Sequence, residues 1–465
     1  MTDWGKRLAL LMAASALCAP GLALAQSADD VAALRAEIQR LKDQVSTLET
    51  RLDAMAPALA NPAPPAAAPA PMAAAAPPKP ADQTKIAWKG APEMSQSSEW
   101  LFKIRGRIQA DIGYVDAPRA STDRGLGSVS EMRRARIGAE GTMPGGFGYK
   151  IEADYSDNQV EMVDAYLTYA HGPMTVMVGQ QNPGWSLDEL TSDSGTSFME
   201  RAAFTDAFEF ERRVGASITY MGKAFTVSGG GFTDNVGDLS NAVDGPSGGD
   251  ENNSYSVDAR SVWFPVAGKT QLHFGGSVHW RDRGDLSRAL TRYRQRPFLH
   301  GTNTRFLTTD AFNVQSELGY GAEFAAVRGS LHVAAEAAWL RADMVSGERP
   351  TFFGSYGEIG YYLTGETRGY KNGIFARTKV RRPLGKGGMG AFQVNLRYDY
   401  LDLSDDGVIG GKQDAYLASL IWTPVDLMRV SLNYGWLDYH DALRSSGVRD
   451  DFGVSTVGMR AEIDF

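Results

Sequence analysis

From about residue 98 to the end of the chain, hydrophobic and polar side chains alternate in short segments. In "FKIRGRIQADIGY", residues 102–114, every second residue is Phe, Ile, Gly, Ala or Tyr, and the residues between them are Lys, Arg, Gln and Asp, with a final Gly. A period of two predicts a β-strand, because successive side chains on a strand point to opposite faces. This strand has one wholly apolar face and a second face with three cations, Lys103, Arg105 and Arg107.

The connections between these segments are of two kinds, which predicts a barrel. Short connections contain Gly or Pro, at 143–148, 171–173, 265–269 and 423–426, and long polar connections cover 233–253, 281–309 and 439–450. Short turns at one end and long loops at the other are typical of a transmembrane antiparallel β-barrel of the bacterial outer membrane. About 368 residues, at roughly 10 per strand plus loops, predict about sixteen strands, and a count by eye gives about fourteen to sixteen.

The last segment, "VSTVGMRAEIDF", shows the same alternation and ends on an aromatic residue, Phe465. In a barrel its apolar residues face lipid, and Arg460, Glu462 and Asp464 face the lumen, which is a water-filled channel when the barrel has sixteen strands. A soluble β-sandwich is the alternative. It leaves the terminal Phe465 and the unequal loops without an explanation.

The polar faces predict a lumen that is lined by charges of both signs. Besides the three cations of the first strand, the inward set includes Arg134, Arg136, Glu140, Lys150, Glu152, Asp154, Asp164 and Tyr166. Two connecting segments are strongly basic: 281–305 has seven cations and two acids, and 368–386 has seven cations and no acid. Folded toward the pore, such segments would attract anions. Alternatively, they lie outside and contact lipopolysaccharide or a neighbouring subunit.

The first 97 residues have a different texture, in three parts. Residues 1–25 predict a signal peptide, with Lys6 and Arg7 before a short apolar run and small residues at the cleavage site. Hydrophobic residues spaced three and four apart over 31–55 predict a coiled-coil helix within residues 26–56, and therefore self-association. Residues 57–97, rich in Pro and Ala, predict an extended linker.

The sequence offers little for catalysis or for a cofactor. Its single cysteine, Cys18, lies in the predicted signal peptide, and there are six histidines. The chain has no His-Glu-x-x-His motif, and its one Gly-x-Ser-x-Gly match, at 245–249, lies in a long polar connection and not in the strand-to-helix turn of a nucleophile elbow. We therefore expect no enzyme, no cofactor and no metal site, although a barrel lipase or protease remains a minor alternative. With a formal net charge of -8, the chain is not expected to bind nucleic acid.

Four segments and the terminal "IDF" resemble segments of the phosphate-selective porin O and P family. They follow one another in the same order as in that family. They are "FKIRGRIQADIGY", "RRARIGAEG", "VGQQNPGWSLDELTSDSGTSFMER" and "YYLTGETRGYKNG". The resemblance implies a homotrimer of sixteen-stranded barrels in which inward loops and a ladder of arginines guide anions. By position, it places Arg107, Arg133, Arg134 and Arg201 in that ladder, and Arg292, Arg294 and Arg296 in a basic loop. Lys150 and Asp164 match charged residues of the family's narrow zone.

One position departs from the family's pattern. Where the phosphate porins present a lysine to the bound anion, this chain has Glu189, preceded by Asp188. We therefore expect a passive outer-membrane channel for small hydrophilic solutes that prefers anions, with phosphate-like anions as possible solutes. The alternative is a non-selective general porin whose coiled coil and linker also tether the outer membrane to the cell wall. Expected contacts are membrane lipid, lipopolysaccharide and small anions.

Overall fold

The computed structural model describes residues 84–96, 99–116, 126–156, 158–239, 254–284, 290–444 and 446–465, with three isolated helical residues, Gln39, Lys42 and Ser46. The predicted signal peptide, the rest of the predicted coiled coil, and the predicted linker as far as residue 83 lie outside the described residues. Among the described residues, no helix is long and apolar enough to span a bilayer.

Sixteen antiparallel strands form a closed barrel. Each strand pairs with the next along the chain, and the last pairs with the first, with Asp464 opposite Arg107 and Thr456 opposite Val115. The prediction of about sixteen strands is confirmed. The barrel strands are β1 Trp100–Val115, β2 Gly127–Met143, β3 Phe147–Asp154, β4 Glu161–His171, β5 Met174–Gln181, β6 Arg213–Met221, β7 Phe225–Phe232, β8 Tyr255–Trp263, β9 Thr270–Asp282, β10 Phe312–Arg328, β11 Leu331–Met344, β12 Thr351–Tyr362, β13 Ala391–Asp402, β14 Lys412–Val425, β15 Met428–Leu443 and β16 Arg449–Asp464.

The two faces of β1 lie as the alternation predicts. Ile108, Ile112 and Tyr114 are exposed on the outside of the barrel, where the bilayer would cover them, while Gln109 and Asp111 are buried inside. The apolar residues of strands thus form a lipid-facing band. In the tight turn between β2 and β3, both Gly145 and Gly146 have positive φ, a conformation that side chains with a Cβ rarely adopt.

Connections of unequal length lie at the two ends of the barrel. The strands that flank 233–254 and 283–311 meet these connections at the same end of the barrel, as predicted, and 182–212, which was not predicted as a long connection, begins and ends there too. The long connection predicted at 439–450 is wrong, because the strands of the β15–β16 hairpin extend to Leu443 and from Arg449. The basic segment at 368–386 belongs to a connection, 363–390, at the end that otherwise carries short turns. This connection is therefore an insertion at the short-turn end, which in outer-membrane barrels is the periplasmic end.

Short elements occupy the connections and the N-terminal side of the barrel. A hairpin formed by Lys85–Trp88 and Pro92–Gln96, in the segment predicted as linker, adds to β1 through Glu93 opposite Lys103. The helices are α1 Leu187–Leu190, α2 Ala203–Ala207 and α3 Val236–Leu239, with a 3₁₀ turn at Asp193–Gly195. The remaining short strands are Val266–Ala267, Leu290–Thr291, Arg294–Gln295, Leu307–Thr308, Gly369–Lys371 and Ile374–Ala376.

An apolar core fills part of the lumen, which the alternation alone did not predict. Trp185, Leu187 and Phe204 of the loop 182–212 are buried against inward-facing Phe352 and Tyr356 of β12. The rings of Phe204 and Tyr356 stack with their centroids 6.3 Å apart. The expectation of a polar, water-filled interior is therefore wrong for this side of the barrel. A loop that folds inward needs an apolar surface to hold it, because burial of apolar area stabilises it there.

Candidate pore constriction

The loop 182–212 crosses the lumen and is fixed to the wall by two carboxylates. The Glu336 side chain of β11 accepts hydrogen bonds from the backbone N–H groups of Leu187 and Asp188, at 2.8 and 2.7 Å. The Asp399 side chain of β13 accepts from the backbone N–H of Ala203 at 3.2 Å. These N–H groups lie at the starts of α1 and α2, where a helix has no backbone acceptors of its own. The wall thus satisfies donors that the loop leaves free.

Cations of the wall hold the carbonyl groups of the same loop. Arg429 of β15 donates to the carbonyl oxygens of Asp193 and Thr196, at 2.6 and 2.8 Å. Arg460 of β16 donates to the carbonyl oxygen of Met199 at 2.5 Å. The backbone of the loop is therefore anchored on one side of the barrel, through strands β11 to β16. The opposite side, β1 to β5, borders a cavity.

A cavity of about 510 Å³ lies between the loop and strands β1 to β5. Its lining contains seven cationic side chains and four carboxylates, a net excess of three positive charges. Tyr166, Met177, Gln181 and Asn182 are among its other lining residues. The cations are Arg105, Arg107, Arg134, Arg136, Lys150, Arg201 and Arg212, and the carboxylates are Glu152, Asp164, Glu189 and Asp193.

A second cavity, of about 160 Å³, lies on the long-loop side of the first. It has four cations and four carboxylates in its lining, so its charges balance. Four charged residues line both cavities, namely Arg134, Glu189, Asp193 and Arg201. We call these four residues the constriction, because they mark the boundary between the two cavities.

Within the constriction, Asp193 is the central acceptor. Its carboxylate lies 2.6 Å from Arg107, 3.0 Å from Arg134 and 3.5 Å from Arg201. Burial alone would raise the pKa of Asp193, but the positive charges of Arg134, Arg107 and Arg201 outweigh burial and hold this pKa well below its usual value. Asp193 is therefore ionised at neutral pH. The sequence reasoning missed it, although an acid among ladder cations was visible in the quoted segment.

The two acids that depart from the family's pattern have different surroundings. Glu189 lines the pathway and pairs with Arg201 at 3.2 Å, while Asn182 donates to it at 2.7 Å. The side chain of Asp188 is buried, and it accepts a hydrogen bond from the backbone N–H of Ala202 in the same loop at 2.9 Å. Glu189 thus contributes a carboxylate to the lining of both cavities. Asp188 is a structural acceptor.

A β-bulge explains how two consecutive arginines both reach the lumen. The register of β1 and β2 shifts between Gln109 and Ala110, so that Arg133 has no partner in the ladder. The Nε atom of Arg133 lies 3.6 Å from the Glu200 carboxylate, and Arg134 reaches Asp193. Without the bulge, adjacent side chains would point to opposite faces of the strand.

The remaining predicted wall cations each lie beside a carboxylate. Arg105 and Lys103 approach Glu140 at 2.8 and 4.0 Å. Lys150 lies 2.6 Å from Asp164, and Arg136 lies 2.7 Å from Asp154. The sequence reasoning did not identify Arg212, which lies 2.7 Å from the second oxygen of Asp164. Only the folding of the loop end toward β4 brings Arg212 there.

The described residues 290–311 of the basic loop contact the wall at the long-loop end of the barrel. Tyr293 donates to Glu317 of β10 at 2.5 Å, and His300 lies 2.8 Å from Glu131 of β2. These two contacts connect the loop with separate parts of the wall. Of the three predicted arginines, Arg296 lines the second cavity, while Arg292 and Arg294 are exposed.

Two of the seven cations of the second basic segment, Arg368 and Arg377, make internal contacts, and the other five are exposed. Arg368 pairs with Glu358 of β12 at 2.7 Å and donates to the carbonyl oxygen of Gly195 at 2.9 Å. Arg377 lies 2.7 Å from Asp464 of β16. The insertion 363–390 therefore supports the loop 182–212 from the short-turn side.

A closed barrel of sixteen strands, with a charged passage beside an inward loop, defines a porin of the bacterial outer membrane. The family model "Phosphate-selective porin O and P" matches residues 102–465, and the chain belongs to this family. Porin O of Pseudomonas aeruginosa is 26% identical over 390 residues, which cover 75% of this chain and 86% of that protein. A Caulobacter vibrioides protein described as "Uncharacterized protein" is 52% identical over 472 residues, which cover 98% of this chain and 96% of that protein.

Solved structures share the architecture at low sequence identity. The outer-membrane protein OmpT of Vibrio cholerae has 10% identity and a TM-score of 0.51, over 80% of this chain and 99% of that chain. The anion-selective porin from Comamonas acidovorans has 11% identity and a TM-score of 0.50, over 79% of this chain and 100% of that chain. These similarities show the fold.

Proposed function

We propose that this porin is a passive channel that prefers small anions. The observation that carries the proposal is the lining of the 510 Å³ cavity, with seven cations against four carboxylates. A positively charged cleft with walls of low dielectric constant concentrates anions and excludes cations. Because the excess is distributed over β1 to β4 and the loop, an anion keeps cationic neighbours along the whole cavity.

The exposed arginines of the loop 283–311 support the same direction of preference. Arg292 and Arg294 make no ion pair within the described residues, and Arg296 reaches the second cavity. Burial, together with the nearby charge of Arg296, lowers the pKa of Arg305 to about 10. A cluster of cations at the entrance would raise the rate of anion capture, most strongly at low salt.

Tight phosphate binding is not part of the proposal. Glu189 places a negative charge at the constriction, and Asp193 places a second one there. At 4 Å and an effective dielectric constant of 20, reversing one unit charge changes the interaction with a monovalent anion by about 8 kcal/mol before screening. We infer fast passage of small anions rather than retention of phosphate.

The test is the reversal potential of single channels in planar bilayers across a KCl gradient. The expected reversal potential has the sign of the chloride equilibrium potential. Its magnitude should increase as the total salt concentration falls. A potential of the sign set by potassium would contradict the proposal. A potential near zero at low salt would instead favour the non-selective general porin.

We further propose a homotrimer, with self-association aided by the coiled coil predicted for residues 26–56. The porin family and the heptad pattern support this assembly. Crosslinking of the purified protein, followed by electrophoresis without heating, should give a trimer band, and a monomer alone would contradict it.

A further inference from the structure

Three guanidinium groups from three separate segments of the chain converge on one carboxylate. Arg107 comes from β1, Arg134 from β2 and Arg201 from the loop 182–212, and the carboxylate of Asp193 lies between them. Arg107 also pairs with Asp464 at 2.7 Å, and Arg201 also pairs with Glu189 at 3.2 Å. Arg134 has no second carboxylate partner among the described residues, and Asp193 is the carboxylate that all three guanidinium groups share.

We propose that Asp193 is a tethered anion, whose carboxylate occupies the place where these three arginines would otherwise hold a small oxyanion in transit. The inference rests on the proposed function, because it assumes that solutes pass this constriction. It gives Asp193 the role of setting how tightly the channel retains oxyanions such as phosphate.

The donors around Asp193 are suited to a free oxyanion. Guanidinium groups bind carboxylates and phosphates through the same forked arrangement of N–H donors. The Nε atoms of Arg107 and Arg134 are buried and have no hydrogen-bond partner among the described residues. An oxyanion with three or four oxygens would accept from these atoms as well, which a single carboxylate does not do.

The backbone at Asp193 is held independently of its carboxylate. Its carbonyl oxygen accepts from Arg429 at 2.6 Å and from the Thr196 hydroxyl at 2.8 Å. The loop is also fixed through Glu336 and Asp399, at some distance along the chain from Asp193. Removing the side-chain charge should therefore leave the loop in place and the three arginines facing an unfilled acceptor position.

A tethered anion also accounts for how a strongly cationic passage avoids trapping its solutes. A conducting site must bind well enough to admit an ion and weakly enough to release it. With Asp193 in place, an arriving anion competes with a carboxylate that cannot leave. The site then retains anions less, while the surplus of positive charge still favours their entry.

The test uses Asp193→Asn in the full-length protein and measures block of single-channel chloride current by added phosphate. Asp310→Asn, an exposed position on the loop 283–311, is the matched control. We expect the half-blocking phosphate concentration of Asp193→Asn to be at least about tenfold lower than that of the wild type, because one opposing charge is removed. The control should match the wild type.

A second substitution separates binding at this site from a general charge effect. In the double variant Asp193→Asn with Arg134→Gln, the added phosphate block should disappear. Folded, conducting Asp193→Asn channels with wild-type phosphate block would overturn the inference. Should Asp193→Asn fold poorly, Asp193→Ser provides the same comparison, with phosphate binding measured by isothermal titration in detergent.

Failure of this inference differs from failure of the proposed function. The proposed function depends on the sign of the wild-type reversal potential. The inference depends on the difference in phosphate block between Asp193→Asn and the wild type. Either result can fail while the other holds.

Discussion

Lys150 shows how one residue contributes to the balance of charge in the pathway. Its ammonium group lies 2.6 Å from Asp164 and 3.4 Å from Glu152, so it screens two acids that also line the cavity. The alternation of "YKIEADY" placed Lys150 on the inner face. It did not reveal which acid Lys150 meets, because the contact depends on the register of β3 with β4.

We predict that Lys150→Gln shifts the channel toward cations. The substitution removes one cation and exposes Asp164 and Glu152 to the solute, so the anion-to-cation permeability ratio should fall by about two- to fivefold at low salt. Reversal potentials of the purified variant measure this ratio. Lys269→Gln, in an exposed turn outside the cavity, is the control, and an equal change in both variants would contradict the prediction.

Glu200 provides a test of pH dependence outside the membrane-spanning strands. Burial raises its pKa, but the charges of Arg133, Arg460 and His300 outweigh burial and lower the pKa of Glu200 to about 2 from 4.5. A carboxyl group whose pKa is lower in the folded than in the unfolded state stabilises the folded protein at pH values above the pKa of the unfolded state. This contribution, about 3 kcal/mol at most, is lost as the pH falls from about 4.5 to about 2.

We therefore predict that Glu200→Gln lowers the unfolding temperature at pH 7 and that the difference from the wild type narrows below pH 4.5. Thermal unfolding in detergent, followed by circular dichroism over this pH range, measures the effect. Glu161→Gln, at an exposed position, should behave as the wild type. A constant difference between Glu200→Gln and the wild type from pH 7 to pH 2 would show that the Glu200 charge is not responsible.

At the scale of elements, the loop 182–212 is a largely irregular segment held by contacts that are distant in sequence. Glu336 accepts from two backbone N–H groups of α1 and from the Tyr356 hydroxyl at 2.7 Å. Buried donors that lose their acceptor cost about 1–3 kcal/mol each. Glu336 should accordingly determine whether the loop keeps one position.

We predict that Glu336→Ala gives channels with a more variable conductance and a larger open-channel noise, because α1 is no longer fixed to β11. Single-channel recording measures both quantities. Glu348→Gln, in an exposed turn, is the control. Conductance as uniform as that of the wild type would show that the loop is held without Glu336.

The strands were predictable and the loop contacts were not, for a physical reason. A strand with lipid on one face and the lumen on the other has alternating apolar and polar side chains. This alternation is visible within a dozen residues, so β1 and β16 could be recognised from the sequence. The position of the loop 182–212 depends on pairs such as Leu187 with Glu336, separated by 149 residues. The insertion 363–390 also lacked a signal, because its basic composition fits an external loop equally well.

At the scale of the whole molecule, the barrel closes without the N-terminal residues that lie outside the described part. Within the described part of the chain, the hairpin at 85–96 pairs with β1 beside the end of β16. A deletion that tests the predicted coiled coil and linker should therefore stop at residue 83. It would leave the hairpin in place.

We predict that a mature chain lacking residues 26–83 keeps the single-channel conductance of the wild type but dissociates to monomers at a lower temperature. The reason is that the constriction contacts lie within the barrel, whereas a coiled coil would contribute to association. Bilayer recording and unheated electrophoresis over a temperature series measure the two properties. Unchanged trimer stability would show that the predicted coiled coil does not stabilise the trimer.

The central claim is that solutes pass through the cavity between the loop and β1 to β5, and that this pathway favours anions. A single cysteine in place of Tyr166, in a Cys18→Ser background, tests it most directly, because Tyr166 lines that cavity. Modification by an anionic thiosulfonate should reduce the conductance in steps. It should also proceed faster than modification by a cationic thiosulfonate. The exposed control Ser346→Cys should show no block. An unaltered conductance, or faster reaction with the cationic reagent, would contradict the claim.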